Sequence, residues 1–420
     1  MTNIPVRLAA VALILVFSWV PPASAQQREF DLLVRGGHVI DPKNGRDAVM
    51  DVAIAGGRIA AVEPNIAPER AAQVAEARGL YVVPGLLDIH AHVFYGTEDN
   101  AAYSNGTSAI PPDGFTFRAG VTTVVDAGGA GWRNFPQFEA QVIDRSRTRV
   151  LAFLNIVGSG MKGGPVEQDL ADMDARLTAE RARQHPGLIV GVKTAHYSGP
   201  EWAPVDRAVE AGRLAGIPVM VDFGQFVQER PFEELVTKRL RPGDIYTHTF
   251  LGRVPMLDAD GKIRPYLFAA QKRGVVFDVG HGGGSFLFRQ AVPATRQGFW
   301  PDTISTDIHT GSMNGGMKDM ASVMSKMLNL GMPLREAIEK STWAPAKVIQ
   351  RPELGHLDVG APADVAVFRL REGDFGFLDV SDARFTGTRK LECELTVRDG
   401  RVVWDLNGMA SVDWEQAGRR

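Results

Sequence analysis

The fold is decided by the stretch Tyr81-Val82-Val83-Pro84-Gly85-Leu86-Leu87-Asp88-Ile89-His90-Ala91-His92. Residues 81–89 form an apolar run typical of a buried strand, and two histidines follow it two positions apart. Side chains two apart in an extended chain point the same way, so both imidazoles can face one metal ion. Two nearby histidines are more often ordinary surface or core residues. The apolar strand and the turn-prone Pro84-Gly85 before the pair favour a metal site here.

Outward from this stretch, short β-branched runs alternate with longer amphipathic segments, which is typical of a parallel sheet built from βαβ units. The predicted strands are Tyr81–Ile89, Val121–Asp126, Arg149–Val157, Gly187–Lys193, Pro218–Asp222, Asp244–Thr249, Val275–Val279 and Thr303–Asp307. Helices are predicted between them, for example over Glu167–Gln184 and Pro204–Ala215. Eight strands close a barrel, so residues 84–351 are predicted to form a TIM-like (β/α)8 barrel of the α/β class.

Both ends of the chain contain shorter strand-like runs separated by turns. Residues 30–83 are interrupted by glycine pairs and by Asn44-Gly45, and Asp364–Phe368 and Thr396–Trp404 are strand-like, the second with an Asp399-Gly400 hairpin turn. We therefore predict a small β-sandwich domain built from residues 26–83 together with residues 352–420.

Ionisable side chains stand at the ends of the later predicted strands. They are Lys193, Asp222, His248, His281 and Asp307. In such barrels the catalytic groups lie at the carboxyl ends of the strands. Each residue alone would more often be a helix cap or a solvated loop residue, but buried charges at one rim need partners, and metal is the obvious one.

The stretch 84–92 resembles the opening motif of the amidohydrolase superfamily, and the stretch 355–364 resembles that superfamily's return into its β-sandwich. The resemblance covers nearly all of the chain after residue 25. Residues 277–282 and 304–307 are most similar to the dihydroorotase-like deacetylase branch, whose members resemble D-aminoacylases and acetyl-mandelate-type deacetylases.

This resemblance implies a set of metal ligands. His90 and His92 would bind the first metal, and Lys193, carbamylated by carbon dioxide, would bridge two metals. His248 would bind the second metal. Asp307 would bind the first metal and take a proton from the attacking water. The cofactor would be one or two divalent ions, with zinc favoured and manganese as the alternative.

One position departs from the family pattern, because Asp222 stands where binuclear members carry a histidine on the fifth strand. A carboxylate can still bind a divalent ion, although it favours zinc less and manganese or magnesium more.

We predict His281, Gly282 and His196 as substrate contacts. His281 and Gly282 belong to a glycine-rich loop, which lets the backbone approach a ligand, and His196 lies three residues past Lys193. His309 could contact substrate or cap a loop.

The predicted chemistry is hydrolysis of an amide or ester bond in a small acylated compound. Bound metal lowers the pKa of water from 15.7 toward about 7, and Asp307 would shuttle the proton to the leaving group. Arg118, Arg133 or Arg289 could bind a substrate carboxylate. The alternatives are a cyclic amidase similar to dihydroorotase or hydantoinase, a metal-dependent isomerase or lyase on the same barrel, and a non-catalytic ligand-binding barrel.

The first residues are typical of an export signal. Arg7 precedes the apolar run Leu8–Val20 and the small-residue site Ala23-Ser24-Ala25. This run is shorter than the roughly 20 residues that span a bilayer, so residues 1–25 are predicted to be cleaved without stable membrane insertion. The mature protein would be periplasmic or secreted, although an uncleaved anchor is the alternative.

Composition limits the remaining options. A formal net charge of -3 argues against a nucleic-acid partner. Cys393 is the one cysteine, so no intrachain disulfide forms and we predict a structural role for it. The expected partner is a small acylated substrate, and homo-oligomerisation is left open.

Overall fold

The structure is a computed structural model that describes residues 28–94, 108–223 and 226–417, together with the isolated Thr2. The predicted export signal, residues 1–25, lies outside the described residues apart from Thr2. Among the described residues, no helix has both the length and the apolar character needed to cross a membrane.

The regular elements alternate along the chain. The strands are β1 (Phe30–Asp41), β2 (Arg46–Ala55), β3 (Arg58–Glu63), β4 (Ala71–Glu76), β5 (Tyr81–Pro84), β6 (Leu86–Ala91), β7 (Val121–Gly131), β8 (Arg149–Asn155), β9 (Ile189–Ala195), β10 (Val219–Asp222), β11 (Ile245–Tyr246), β12 (Val276–Phe277), β13 (Val365–Leu378), β14 (Arg384–Arg398) and β15 (Arg401–Asp405). The helices are α1 (Phe135–Gln141), α2 (Ala175–Gln184), α3 (Ala203–Ala215), α4 (Phe232–Glu234), α5 (Pro265–Arg273), α6 (Phe288–Arg296), α7 (Met320–Asn329), α8 (Leu334–Glu339) and α9 (Trp343–Val348).

A mixed sheet joins the two ends of the chain. Its order is β15-β14-β13-β5-β1-β2-β3, with β4 paired to β1. Strands β14 and β15 are antiparallel and connected by Asp399 and Gly400, whose φ angles of 53° and 77° are those of a two-residue hairpin turn. Val34 and Ile54 from one end share a core with Val365 from the other. The structure therefore shows a β-unit made from both ends, while the limits 26–83 and 352–420 stay a prediction.

A parallel sheet in the middle of the chain has the order β12-β11-β10-β9-β8-β7-β6. The predicted eighth strand, Thr303–Asp307, is not a strand. Two isolated parallel bridges are formed in this region instead. Thr303 pairs with Asp278 beyond β12, and Ile308 pairs with Ala91 of β6. Asp307 has a φ of 50°, a left-handed conformation that interrupts a continuous ladder. The seven-stranded sheet thus curls until one segment touches both of its edges.

The stretch Tyr81–Ile89 was predicted as one strand and is divided between the two sheets at Gly85. β5 pairs with β1 and β13, whereas β6 pairs with β7. A Cβ on Gly85 would lie 2.3 Å from Thr122 Oγ1, so only glycine fits this close crossing. The chain passes from the mixed sheet into the parallel sheet immediately before the two histidines.

The helix predicted over Glu167–Gln184 begins later than the pattern indicated. Asp174 caps α2 at Ala175 by accepting hydrogen bonds from the backbone N–H groups of Arg176 and Leu177. Glu167 lies in a short 3-10 turn before it and is buried. The prediction of α3 was correct to within one residue.

Candidate metal centre

The two histidines of the opening motif meet Asp307. His90 is the penultimate residue of β6, and His92 lies just past its end. The Asp307 Oδ1 atom is 3.0 Å from His92 Nε2 and 3.6 Å from His90 Nε2. Asp307 reaches them because its backbone N–H donates to the His90 carbonyl at 2.7 Å, which fixes the segment beside β6.

A second group of side chains shares His90. Lys193, in β9, places its Nζ atom 3.2 Å from His90 Nε2 and 3.3 Å from Asp222 Oδ2. His248, two residues after β11, places Nε2 3.2 Å from Asp222 Oδ1. Lys193 is fully buried and Asp222 is 4% exposed. All six residues predicted as metal ligands are therefore brought together at the carboxyl ends of the parallel strands.

The spacing of these atoms fits a divalent ion. Nitrogen and oxygen ligands stand about 2.0–2.2 Å from zinc, so ligands of one ion lie roughly 3–4 Å apart. His90, His92 and Asp307 form one group able to hold an ion, and His90, Asp222 and His248 form another. The donor set of imidazole and carboxylate is one that zinc and manganese accept.

Hydrogen bonds behind the histidines decide which ring nitrogen faces the centre. His248 Nδ1 lies 2.6 Å from the carbonyl oxygen of Gly280, which can only accept, so Nδ1 carries the hydrogen. Thr247 donates its hydroxyl hydrogen to Asp278, so Thr247 Oγ1 accepts from His90 Nδ1 at 2.9 Å. Such outer bonds orient the ligands of metal sites.

The consequence is that Nε2 of His248 faces the Asp222 carboxylate; burial opposes protonation of His248, but the nearby Asp222 raises its pKa above the ordinary value. Two electron-rich atoms 3.2 Å apart repel each other unless a proton or a metal ion lies between them. The chemistry of the donor set therefore fits a bound cation.

The pKa shifts of Asp307 and Asp222 indicate that both are anions within a cluster of nitrogen atoms. Burial opposes ionisation, but the neighbouring His90 and His92 hold the pKa of Asp307 below its ordinary value. Burial likewise opposes ionisation of Asp222, whose pKa is held well below its ordinary value by His248 and Lys193. Both carboxylates are thus ionised at neutral pH and available to a cation.

Three residues of the site have a left-handed backbone conformation. The φ angles are 64° at His248, 50° at Asp307 and 56° at His196. This conformation is uncommon for residues other than glycine and is concentrated at functional sites. Asp88 helps to hold the backbone next to Asp307 and at His90, since its carboxylate accepts from the backbone N–H groups of Thr306 and His90 at 3.0 and 3.2 Å. Burial raises the pKa of Asp88 to about 7.

A cavity of about 890 Å³ opens onto the centre, and its wall includes His92, Asp222, His248 and Asp307. His196 also lines it, with a ring that is about half exposed. His196 Nδ1 lies 2.8 Å from Glu167 Oε2, and Nε2 lies 3.7 Å from Asp222 Oδ2. His309 lines the cavity as well, its ring 6.1 Å from that of His92.

Two predicted substrate contacts need correction. His281 is fully buried and is not among the residues lining the cavity, and both its ring nitrogens have partners within the protein. Gly282 is buried too, and a Cβ there would lie 2.2 Å from Asp307 Oδ2. Gly283 and Gly284 are the glycines that line the cavity.

Sequence reasoning also missed several residues of the site. The Asp126 carboxylate accepts from the backbone N–H groups of Val93, Phe94 and Gly129, which shapes the cavity wall. Its place at the end of a predicted strand could have indicated this. The cations on the wall are Lys162 and Arg253.

The arginines proposed from sequence lie elsewhere. Arg133 pairs with Asp172 and lies over the Trp132 ring, and Arg118 lies over Phe115. Neither these two nor Arg289 lines the cavity.

Comparison with known proteins adds independent information. The model of the Amidohydrolase family matches residues 289–403. A deacetylase of Agrobacterium fabrum is 35% identical over 80% of this chain and 82% of its own length. The crystal structure of an adenine deaminase superposes with a TM-score of 0.81 at 29% identity, covering 90% of this chain and 100% of that one. A dihydroorotase structure gives a TM-score of 0.77 at 31% identity, with 89% and 99% covered.

Proposed function

The chain belongs to the amidohydrolase family, and from that premise we propose that it removes the acyl group from small acylated amines or alcohols. The class of enzyme is a metal-dependent amidohydrolase. One observation carries the proposal: the group His90, His92 and Asp307 lies next to the group His90, Asp222 and His248, beside one cavity. The similarity to a deacetylase supports an acyl substrate.

We propose that the metal is zinc, with manganese as the alternative, held by His90, His92 and Asp307 on one side and by Asp222 and His248 on the other. When bound, the metal would polarise the carbonyl of the acyl group to be removed and would lower the pKa of water. The TIM-like barrel that the relatives' fold implies would place this centre at the mouth of a closed ring of strands.

Asp307 is placed to handle the proton. Its Oδ1 atom faces His90 and His92, Oδ2 lies against Gly282, and Asp307 is one of the residues that line the cavity. As an ionised carboxylate, it takes a proton from the attacking water at Oδ2 and passes it to the leaving nitrogen or oxygen. The acyl carbon gains the hydroxyl oxygen as its bond to the leaving atom breaks.

Lys193 is proposed to carry a carbamate. Its Nζ atom is buried between His90 and Asp222, where an anionic oxygen would serve a metal better than an ammonium group. Protein loaded in isotopically labelled bicarbonate should retain one labelled carbon per chain, which Lys193→Ala should lose. Retention of the label by that variant would contradict the assignment.

The number of metal ions depends on Asp222, which we propose as a ligand. Metal analysis of the wild type and of Asp222→Ala should show a lower stoichiometry in the variant. Asp258→Ala is a control, because Asp258 lies in an exposed turn and accepts only from neighbouring backbone N–H groups. Unchanged stoichiometry in Asp222→Ala would remove Asp222 from the ligands.

The substrate is proposed to carry an anionic group. Lys162 and Arg253 line the cavity, and within the described ranges neither makes an ion pair or a side-chain hydrogen bond. Unpaired cations suit a carboxylate. Acylated amino acids and acylated hydroxy acids combine such a carboxylate with a bond that the centre can cleave. His196, oriented by Glu167, would contact the same substrate.

A second candidate is opening of a cyclic amide, which the similarity to a dihydroorotase structure favours. Zinc-loaded and manganese-loaded protein should be tested on N-acyl D- and L-amino acids, acylated hydroxy acids and cyclic amides. Release of a free carboxylic acid with an amine or alcohol supports the deacylase. Ring-opened product alone would favour the cyclic amidase, an isomer would favour the isomerase, and no turnover with either metal would contradict hydrolysis.

A further inference from the structure

Lys326 is a lysine buried inside the protein, where its side chain makes three polar contacts. It belongs to α7 and is 1% exposed. Its Nζ atom donates to the Gly316 carbonyl at 2.6 Å and to the Leu378 carbonyl at 2.7 Å, and it lies 2.6 Å from His281 Nε2. The three acceptors match the three donors of an ammonium group, and burial lowers the pKa of Lys326 to about 7. They come from the loop before α7, the end of β13 and the loop after β12.

His281 continues this connection toward the metal centre. Its Nδ1 atom lies 2.9 Å from the Gly282 carbonyl oxygen, which can only accept, so Nδ1 carries the hydrogen and Nε2 accepts from Lys326. The ring stacks on Phe286 with centroids 4.5 Å apart and planes at 7°. Burial and the neighbouring Lys326 lower the pKa of His281 to about 3, so the ring is neutral.

Gly282 carries the contact to Asp307. A Cβ on Gly282 would lie 2.2 Å from Asp307 Oδ2, which means that the glycine backbone packs directly against the carboxylate. The Gly282 N–H also donates to the Thr306 carbonyl at 2.8 Å. Any shift of this loop therefore moves the surface against which Asp307 rests.

We propose that Lys326 is a positioning residue for Asp307. Through His281 it holds the Gly282 backbone against the carboxylate, and through Leu378 it fixes that loop to the mixed sheet. The inference rests on the proposed function, because it assigns Lys326 a role in the same site. A lysine that only fills the core would lower stability without changing the geometry of the centre.

The test uses full-length protein loaded with Co²⁺, whose visible absorption spectrum reports the geometry of the metal centre. Lys326→Met removes the donors, and His281→Phe keeps the stacked ring while removing both hydrogen bonds. We expect both variants to change the Co²⁺ spectrum and to lower kcat by about 10-fold, the lower end of the loss caused by removing a hydrogen bond to a metal ligand, because the link to Asp307 runs through the Gly282 backbone. KM for an acylated substrate should change by less than about threefold, since substrate contacts are intact.

Lys340→Met is the matched control, because Lys340 pairs with Glu336 at 3.5 Å and lies outside the centre. It should keep the wild-type spectrum and kcat. If circular dichroism shows that Lys326→Met does not fold, His281→Phe decides alone. A folded variant with the wild-type spectrum and kcat, whatever its Tm, would overturn the inference. Failure of the proposed function is separate: wild-type protein would hydrolyse no acylated substrate, while the Co²⁺ spectra still compare the variants.

Discussion

At the scale of single residues, the position of one hydrogen on each imidazole organises the centre. His90 and His248 both donate from Nδ1 to oxygens behind them, and both therefore present Nε2 to the carboxylates. A histidine with the opposite tautomer would point a hydrogen at the centre and could not bind metal. Thr247 and the Gly280 carbonyl thus fix the orientation of two proposed ligands.

The role of Asp307 is tested by Asp307→Asn, which keeps the shape of the side chain but removes its basicity. We expect turnover to fall by at least about 100-fold, the contribution typical of general acid–base catalysis. Most of the metal bound by the other ligands should remain. Metal analysis and kcat on the same preparation measure both effects. A variant that kept the full hydrolytic rate would refute the proton-transfer role.

Arg253→Met tests the recognition of an anionic substrate. Loss of the unpaired guanidinium should raise KM for a substrate with a free carboxylate about 10-fold or more and leave kcat nearly unchanged, because the contact is equal in the ground and transition states. The same substrate as a neutral carboxamide should show no increase. Arg289→Met is the control, since Arg289 does not line the cavity. An equal KM increase for the neutral substrate would argue against a charge contact.

At the scale of elements, local patterns predicted the type of most segments and misplaced their limits. The Asp399-Gly400 hairpin was correct because the turn type requires positive φ at both positions, a local property. Tyr81–Ile89 was predicted as one strand because its apolar run is continuous. The division at Gly85 depends on contact with Thr122, which no periodicity contains. Glu167 was wrongly predicted to lie in a helix because periodicity likewise does not contain the contacts that decide where α2 begins.

The loop after β12 is predicted to tolerate no side chain at Gly282. Gly282→Ala combines a φ of 55° with a Cβ 2.2 Å from Asp307 Oδ2, so either the loop or the carboxylate must move. We expect kcat to fall at least about 10-fold. Gly298→Ala is matched, because Gly298 also has a positive φ, of 84°, and its Cβ would meet nothing within 4 Å. Steady-state kinetics compare the two, and equal activity would contradict close packing on Asp307.

At the scale of the whole molecule, metal and folding are linked. Asp222 and Asp307 are anions buried among the parallel strands, and a cation bound only by the folded protein stabilises that state. Free metal at a hundredfold excess over Kd should add about 2.7 kcal/mol to the free energy of unfolding. Thermal melts of chelated and reloaded protein measure this. His90→Ala should lose most of the shift, and an unchanged Tm on chelation of the wild type would count against a stable centre.

Export is the other property of the whole chain. We propose that residues 1–25 are removed and that the protein is periplasmic or secreted, with a mature N-terminus near Gln26. Intact-mass spectrometry of protein expressed from the full sequence with a bacterial export system should give the mass of residues 26–420. Protein that retains Arg7 and its apolar segment in the membrane fraction would instead support an uncleaved anchor.

The sequence by itself determined the order of the segments that form the parallel strands, the polar residues at their ends and the two histidines at the end of β6. These depend on local periodicity and spacing, which neighbouring residues contain. Only the tertiary structure decided that residues 303–308 touch both edges of the curled sheet, that Asp222 faces His248, and that His281 turns away from the cavity to Lys326. The physical reason is that each of these contacts joins residues far apart in the chain, and which hydrogen bond a buried side chain makes is fixed by partners that its own stretch of sequence does not contain.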